Sequence, residues 1–265
     1  MKRIFMRAVW GSYDDTHRIT KRRGCMDNWF ELIKRNRYTF PFVTYVFGED
    51  NFKMIEDMGF ECRLVDKDPL PFDPIKAQYR HKLESFLYAF EEDGVDELVH
   101  MDWDVFPIKP LPENFWEVLG KKSDIQSCLQ QYKRRKCSWR GKKDIRKVSN
   151  GGFVYIRDKD APKEIIKIWE RRKGPSMEPA MSRFIDDKMD GWKGLEYYWD
   201  NFEPDFCQLH KDSVFFKDKE KKKDVCMIHY QGGDKDLLLG KVKKRYKKIL
   251  NKVNKNEKTN NNSVK

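Results

Sequence analysis

Asp102 and Asp104 flank Trp103 where the apolar run of Leu98, Val99 and Met101 stops, and Pro107, Pro110 and Pro112 keep that strand from running much further. Two carboxylates at the carboxyl end of a strand are oxygen donors for a hard divalent cation, which would in turn hold phosphates. The crevice beyond such strand ends is also where open α/β sheets collect ligands. The plain alternative is a pair of solvated loop acids or helix caps, since a three-residue pattern arises by chance. Further candidates follow along the chain. Ser149-Asn150-Gly151-Gly152 precedes the strand FVYIRD, and adjacent glycines there imply a tight bend or a close approach of backbone to a ligand, with an ordinary turn as the alternative. Asp186 and Asp187 sit at the edge of the apolar pair Phe184-Ile185. His229 closes the apolar run VCMIHY, broken by Gly232-Gly233. A histidine on a strand is more often structural than a ligand, although imidazole is the commonest side-chain metal ligand.

These groups need elements to position them. Ile4 to Trp10 reads as a first strand and GSYDD as a turn; Trp29, Leu32 and Ile33 fall at helical spacing. Phe42 to Phe47 is a second strand, Phe52, Ile55 and Met58 mark a short helix that Gly59 stops, and ECRLVD is a third strand. This alternation is the signature of a parallel sheet with crossover helices. Residues 76–93 give the strongest helix, with Tyr79, Leu83, Phe86, Leu87 and Phe90 on one face, Arg80 and Lys82 off it, and Gly94 as a stop. It feeds the Asp-x-Asp strand directly. Phe115 to Leu119 is helical, Asp124 to Gln130 a further strand, Pro162 to Arg172 a helix, and 191–207 irregular packed structure. Leu239, Val242, Tyr246, Ile249 and Val253 then step by three and four along a basic amphipathic helix, followed by a low-complexity tail.

A chain of 265 residues and 32.0 kDa suits one large domain with a tail, here 1–240 and 241–265. The net charge of +12 is unevenly spread. Ten Lys or Arg stand against Glu257 in 241–265, and eleven against Asp124 and Asp144 in 121–147, so two basic stretches sit on a mildly acidic body. That pattern favours polyanionic partners, DNA or an anionic membrane, through 121–147 and 241–258. The stretch 133–147 reads first as a solvated loop, though Tyr132 and Trp139 among its charges are unusual for mere solubility. Cys25, Cys62, Cys128, Cys137, Cys207 and Cys226 form no Cys-x-x-Cys pair, which speaks against a zinc site or a disulfide framework. Arg7 interrupts the first apolar run, so the start does not read as a signal peptide, and no window approaches a membrane span. A cytoplasmic protein, at most peripheral to a membrane, is the expectation.

Four pieces in order resemble GT-A glycosyltransferases, family 8 in particular: the Asp102-Trp103-Asp104 strand end, SNGGFVYI, the acids at Asp186, and His229-x-x-Gly232-x-x-Lys235, with the helix residues Tyr79 and Arg80 ahead of them. The resemblance spans about residues 3–240 and implies a single GT-A-type, Rossmann-like α/β domain, its mostly parallel sheet flanked by helices, with the basic helix appended. It implies that Asp102, Asp104 and His229 bind Mn²⁺ or Mg²⁺, and that Arg80, Gly232 and Lys235 face the diphosphate of a nucleoside diphosphate sugar. Trp10, Tyr13 and Asp14 would line the base and ribose, Asn150 and Gly151 would sit against the sugar, and Asp186 or Asp187 would orient hydroxyls or deprotonate the acceptor. Asp236-Leu237 stands where the family has Pro-Trp, and Asp186-Asp187-Lys188 where it has Asp-Gln-Asp, so no stereochemical outcome is carried over.

The acceptor is a glycan or lipid-linked saccharide on one version. On the other it is a hydroxylated base in phage DNA, with Tyr132, Lys133, Arg134, Arg135 and Trp139 on the acceptor. A metal-dependent nuclease or phosphotransferase accounts for the charge but not for the His-x-x-Gly-x-x-Lys or Asn-Gly-Gly segments. A nucleic-acid-binding module without catalysis leaves the strand-end acids unexplained.

Overall fold

The computed structural model describes residues 1–11, 42–68, 80–102, 105–107, 111–132, 146–172, 177–188, 207–209 and 226–229. In chain order the elements are β1 (Arg3–Val9), β2 (Phe42–Phe47), α1 (Glu49–Asp57), β3 (Cys62–Asp66), α2 (Arg80–Glu91), β4 (Glu97–Met101) and β5 (Val105–Pro107). They continue with α3 (Phe115–Lys122), β6 (Ile125–Tyr132), β7 (Arg146–Ile156), α4 (Ala161–Arg172), α5 (Met177–Lys188), β8 (Cys207–Leu209) and β9 (Met227–His229). The expected basic helix and tail at 241–265 lie outside these residues.

A six-stranded sheet runs in the order β3-β2-β1-β4-β7-β6, and a three-stranded one in the order β5-β9-β8. Strands β3, β2, β1 and β4 are mutually parallel, while β7 runs antiparallel to both of its neighbours. The domain is thus Rossmann-like, a mixed α/β sheet that is mostly parallel. β1 and β2 are buried along almost their whole length, as strands covered on both faces must be. Leu83, Phe86, Leu98, Val154 and Ile156 share one core with Ile165, Met181 and Ile185, so α2, α4 and α5 cover one face of the sheet.

Strand order fixes the place of the site. The chain leaves β1 toward β2 and β3 on one side, then returns with β4 on the other, which makes the β1/β4 boundary the topological switch point. Ligand crevices open at the carboxyl ends of strands at such a point. Trp10 follows β1 there, and Asp102 follows β4. Asn51 of α1 tightens the same edge by donating from Nδ2 to the carbonyls of Gly11 (2.7 Å) and Phe47 (2.8 Å). Gly11 takes a φ of 76°, a backbone angle that a side chain rarely tolerates.

The sequence reading needs correction in two places. Ser149 to Gly152 are not a bend before a strand. They lie inside β7, which is eleven residues long, and its pairing with β6 shifts register opposite Ser127 and Cys128. Lys82 does not lie off the buried face of α2. It is fully buried, in line with Ser85, Phe86 and Ala89, three, four and seven positions on.

Candidate functional site

β4 pairs with β7 from Leu98↔Ile156 to Met101↔Phe153, and the Asp102 amide continues the ladder by donating to the Gly152 carbonyl at 2.7 Å. The chain then turns. Val105 N–H donates to the Asp102 carbonyl at 3.0 Å, and Val105 opens β5, where it pairs with His229 of β9. Asp102 and Val105 therefore bound the point at which the chain passes from the large sheet to the small one. The small sheet returns His229 to that point.

Gly152 is the residue on which the pieces meet. A Cβ built on it would lie 2.1 Å from Cε1 of His229 and 2.5 Å from both ring nitrogens, so the imidazole occupies the space that any side chain would need. No left-handed backbone angle is involved. Sequence reading expected a close approach of backbone to a ligand at these glycines; the space is taken instead by the protein's own side chains, His229 at Gly152 and Met177 at Gly151. Asn150 Oδ1 accepts from Gly152 N–H at 2.9 Å, and Glu178, in the first turn of α5, accepts from Asn150 Nδ2 (3.2 Å) and Gly151 N–H (3.3 Å).

Asp102 Oδ1 accepts from Lys82 Nζ at 2.5 Å and from His100 Nε2 at 3.0 Å. Burial drives the His100 pKa down to about 4, helped by the Lys82 charge, so the ring is neutral near pH 7. Nε2 must then carry the proton that Asp102 accepts. Burial opposes ionisation of Asp102, but Lys82, His100 and His229 outweigh it and hold the carboxyl well below the usual range. Arg7 of β1 lies fully buried with its guanidinium 4.6 Å from the Phe42 ring centre; burial lowers its pKa, and the Asp102 charge partly offsets that. Burial also raises the Glu178 pKa, against the Gly151 amide and the Lys82 charge.

Of the residues singled out in the sequence, Asp102, Asn150, Gly151 and His229 come together, and Trp10 stands buried at the neighbouring strand end with its ring 6.2 Å from that of His81. Arg80 turns elsewhere. Its guanidinium pairs with Glu84 at 2.7 Å and Glu170 at 3.1 Å, 6.0 Å from the Trp169 ring centre, and the cation from α2 that reaches Asp102 is Lys82. Asp186 and Asp187 belong to the last turn of α5, and Tyr132 to the end of β6, with side chains outside the described ones. Tyr13, Asp14, Asp104, Lys133, Arg134, Arg135, Trp139, Gly232 and Lys235 lie outside the described residues altogether. Lys82, His100 and Glu178 were missed. The alignment of Lys82 with Phe86 and Ala89 was the available signal for the first.

Asp102 and His229 bring donors of the kind that Mn²⁺ takes. Both contacts to Asp102 fall on Oδ1, and a carboxylate oxygen with an imidazole nitrogen suits Mn²⁺ and does not exclude Mg²⁺. Among the described residues, no three His, Cys, Asp or Glu side chains form a complete metal-holding group.

No family model matches the chain, and no curated protein matches it. Solved structures with a similar course of chain include a mannose-1-phosphate geranyltransferase from Thermus thermophilus, 12% identical, with 77% of this chain and 69% of that one covered at a TM-score of 0.35. A glycosyltransferase involved in the glycosylation of the major capsid of PBCV-1 is 11% identical, with 92% and 99% covered at a TM-score of 0.42. At these scores neither bears on what this chain does. No helix among the described residues is long and apolar enough to cross a membrane.

Proposed function

We propose that this chain is a glycosyltransferase of the GT-A type, moving a sugar from a nucleoside diphosphate sugar to a hydroxyl of a glycan or lipid-linked saccharide, with Mn²⁺ or Mg²⁺ held by Asp102, Asp104 and His229. The observation that carries the reading is the meeting of Asp102 and His229 at Gly152, at the switch point of the sheet, from strands that are remote in sequence. A divalent ion bound there would supply Lewis-acid neutralisation of the departing diphosphate.

The chain's own groups do the rest. Asp102 is kept ionised, and Lys82 and His100 fix its orientation, so it enters the reaction as an anion of one geometry. Asn150 and Gly151, held by Glu178, present a short polar edge of β7 to the sugar. Lys82 replaces Arg80 as the fixed positive charge from α2. Asp186 and Asp187 remain the groups proposed to orient sugar hydroxyls or take the acceptor proton. Trp10, with Tyr13 and Asp14, is assigned to the base and ribose, and Gly232 and Lys235 to the diphosphate. The basic stretches 121–147 and 241–258 would face a polyanionic acceptor or surface, with Tyr132, Lys133, Arg134, Arg135 and Trp139 nearest it.

Thermal unfolding in the presence of a panel of nucleoside diphosphate sugars, with and without Mn²⁺, tests the reading, because a ligand that binds only the folded state raises its stability. One donor class is expected to raise Tm in Mn²⁺, and the rise should vanish in Asp102→Asn. If no donor shifts Tm under either condition, the function is different.

A further inference from the structure

Lys82 is fully buried, in the first turn of α2, and its Nζ lies 2.5 Å from Asp102 Oδ1 and 3.1 Å from the Gly151 carbonyl. An ammonium stripped of water is costly unless an anion and hydrogen-bond acceptors replace the water, and here Asp102 and Gly151 do so. The partnership is lopsided. The Lys82 side chain is 1% exposed and that of Asp102 29%, so the carboxylate opens toward solvent while its counter-ion stands behind it. His100 adds a donor on the same oxygen. A free divalent ion arriving at Asp102 from the open side therefore meets a carboxylate whose charge is already balanced, and it meets the repulsion of a second cation just beyond.

We propose that Lys82 is a built-in counter-ion that makes this strand-end site disfavour a bare divalent cation and accept one only together with a nucleoside diphosphate. This rests on the donor reading given above. The diphosphate brings the negative charge that balances the incoming ion, while Asp102 goes on balancing Lys82. Lys82 is a positioning residue in this scheme. It also ties the Asp102 carboxylate to the Gly151 peptide, so the anion and the polar edge of β7 move as one piece. The consequence is coupled uptake: the cation and the nucleotide enter as a pair, and the empty site does not collect metal.

The test is Mn²⁺ binding to the metal-free full chain, read by the loss of the free-ion electron paramagnetic resonance signal, alone and with UDP or GDP. The wild type should bind bare Mn²⁺ at least about tenfold more weakly than Mn²⁺ with one of these nucleotides, within the usual range of coupling between sites. Lys82→Met should tighten bare Mn²⁺ binding by about tenfold and narrow that difference. Lys82→Gln keeps an amide donor for Asp102 and Gly151, should behave in the same direction, and serves where the methionine variant does not fold. Tight binding of bare Mn²⁺ by the wild type overturns the proposal, as do folded variants that bind it no more tightly than the wild type. Nucleotide-dependent Mn²⁺ binding in the wild type with unchanged variants defeats the role of Lys82 alone. Absence of Mn²⁺ binding even with UDP or GDP defeats the metal assignment itself, and the proposal with it.

Discussion

The imidazole of His229 occupies the volume that a Cβ on Gly152 would need, with Cε1 only 2.1 Å from that position. Gly152 also bonds through its carbonyl to the Asp102 amide, so one residue sets the spacing between a carboxylate-bearing strand end and an imidazole from a distant strand.

Gly152→Ala should therefore push the His229 ring aside. Overpacking of this kind costs about 1–3 kcal/mol of stability, and a displacement near 1 Å at a reacting site costs about a hundredfold in rate. Gly151→Ala is the control. Its Cβ would meet the flexible end of Met177 at 2.8 Å, which can swing away, so a smaller loss is expected. Urea unfolding, measured on both variants, checks the ordering; equal losses would count against the ring contact.

Phe86 is fully buried beneath the strand end, with its ring 5.2 Å from that of His100. Phe86→Ala should lower the unfolding free energy by about 3–5 kcal/mol, the usual cost of an aromatic-sized hole. A loss under about 1 kcal/mol in chemical denaturation would mean that α2 does not pack here as described.

Arg80→Ala should be mild. Its pairs with Glu84 and Glu170 are partly exposed, and such pairs contribute about 0–1 kcal/mol. Donor-induced stabilisation is expected to survive this change and to fall with Lys82→Ala, which strips the Asp102 carboxylate of its buried counter-ion. Thermal shifts of the two variants side by side decide between the two cations of α2.

Glu178 supplies a pH signature. Burial raises its folded pKa above the unfolded value, so the folded state holds the proton more tightly. That contribution to stability is complete below the unfolded pKa and disappears as pH rises through the folded one. Glu178→Gln should flatten this part of the stability curve above the ordinary carboxylate range. Denaturation midpoints from about pH 4 to 8 measure it, and parallel curves for the two proteins would exclude Glu178 as the source.

Much of the scaffold was legible in the sequence. The apolar runs at Ile4 to Trp10, Phe42 to Phe47 and Leu98 to Met101 are strands because a parallel sheet buried on both faces tolerates little else. The abrupt change at Asp102 located the end of β4, whereas Pro107, expected to bar further strand, closes β5. What stayed hidden depends on contacts between distant segments. Gly151 and Gly152 suggest a bend when read locally, and only the return of β9 explains why Gly152, inside a strand, lacks a side chain. Lys82 looks like a surface lysine because most lysines are, and the Asp102 carboxylate and Gly151 carbonyl help to make its burial tolerable. Arg80 resembled a phosphate ligand by motif, yet Glu84 and Glu170 claim it.

The corner between the two sheets has a bearing on biosynthesis. Asp102, Gly152 and Glu178 are all translated before His229, which rides on β9. On the proposed metal assignment, the imidazole ligand is thus the last of the described groups to leave the ribosome.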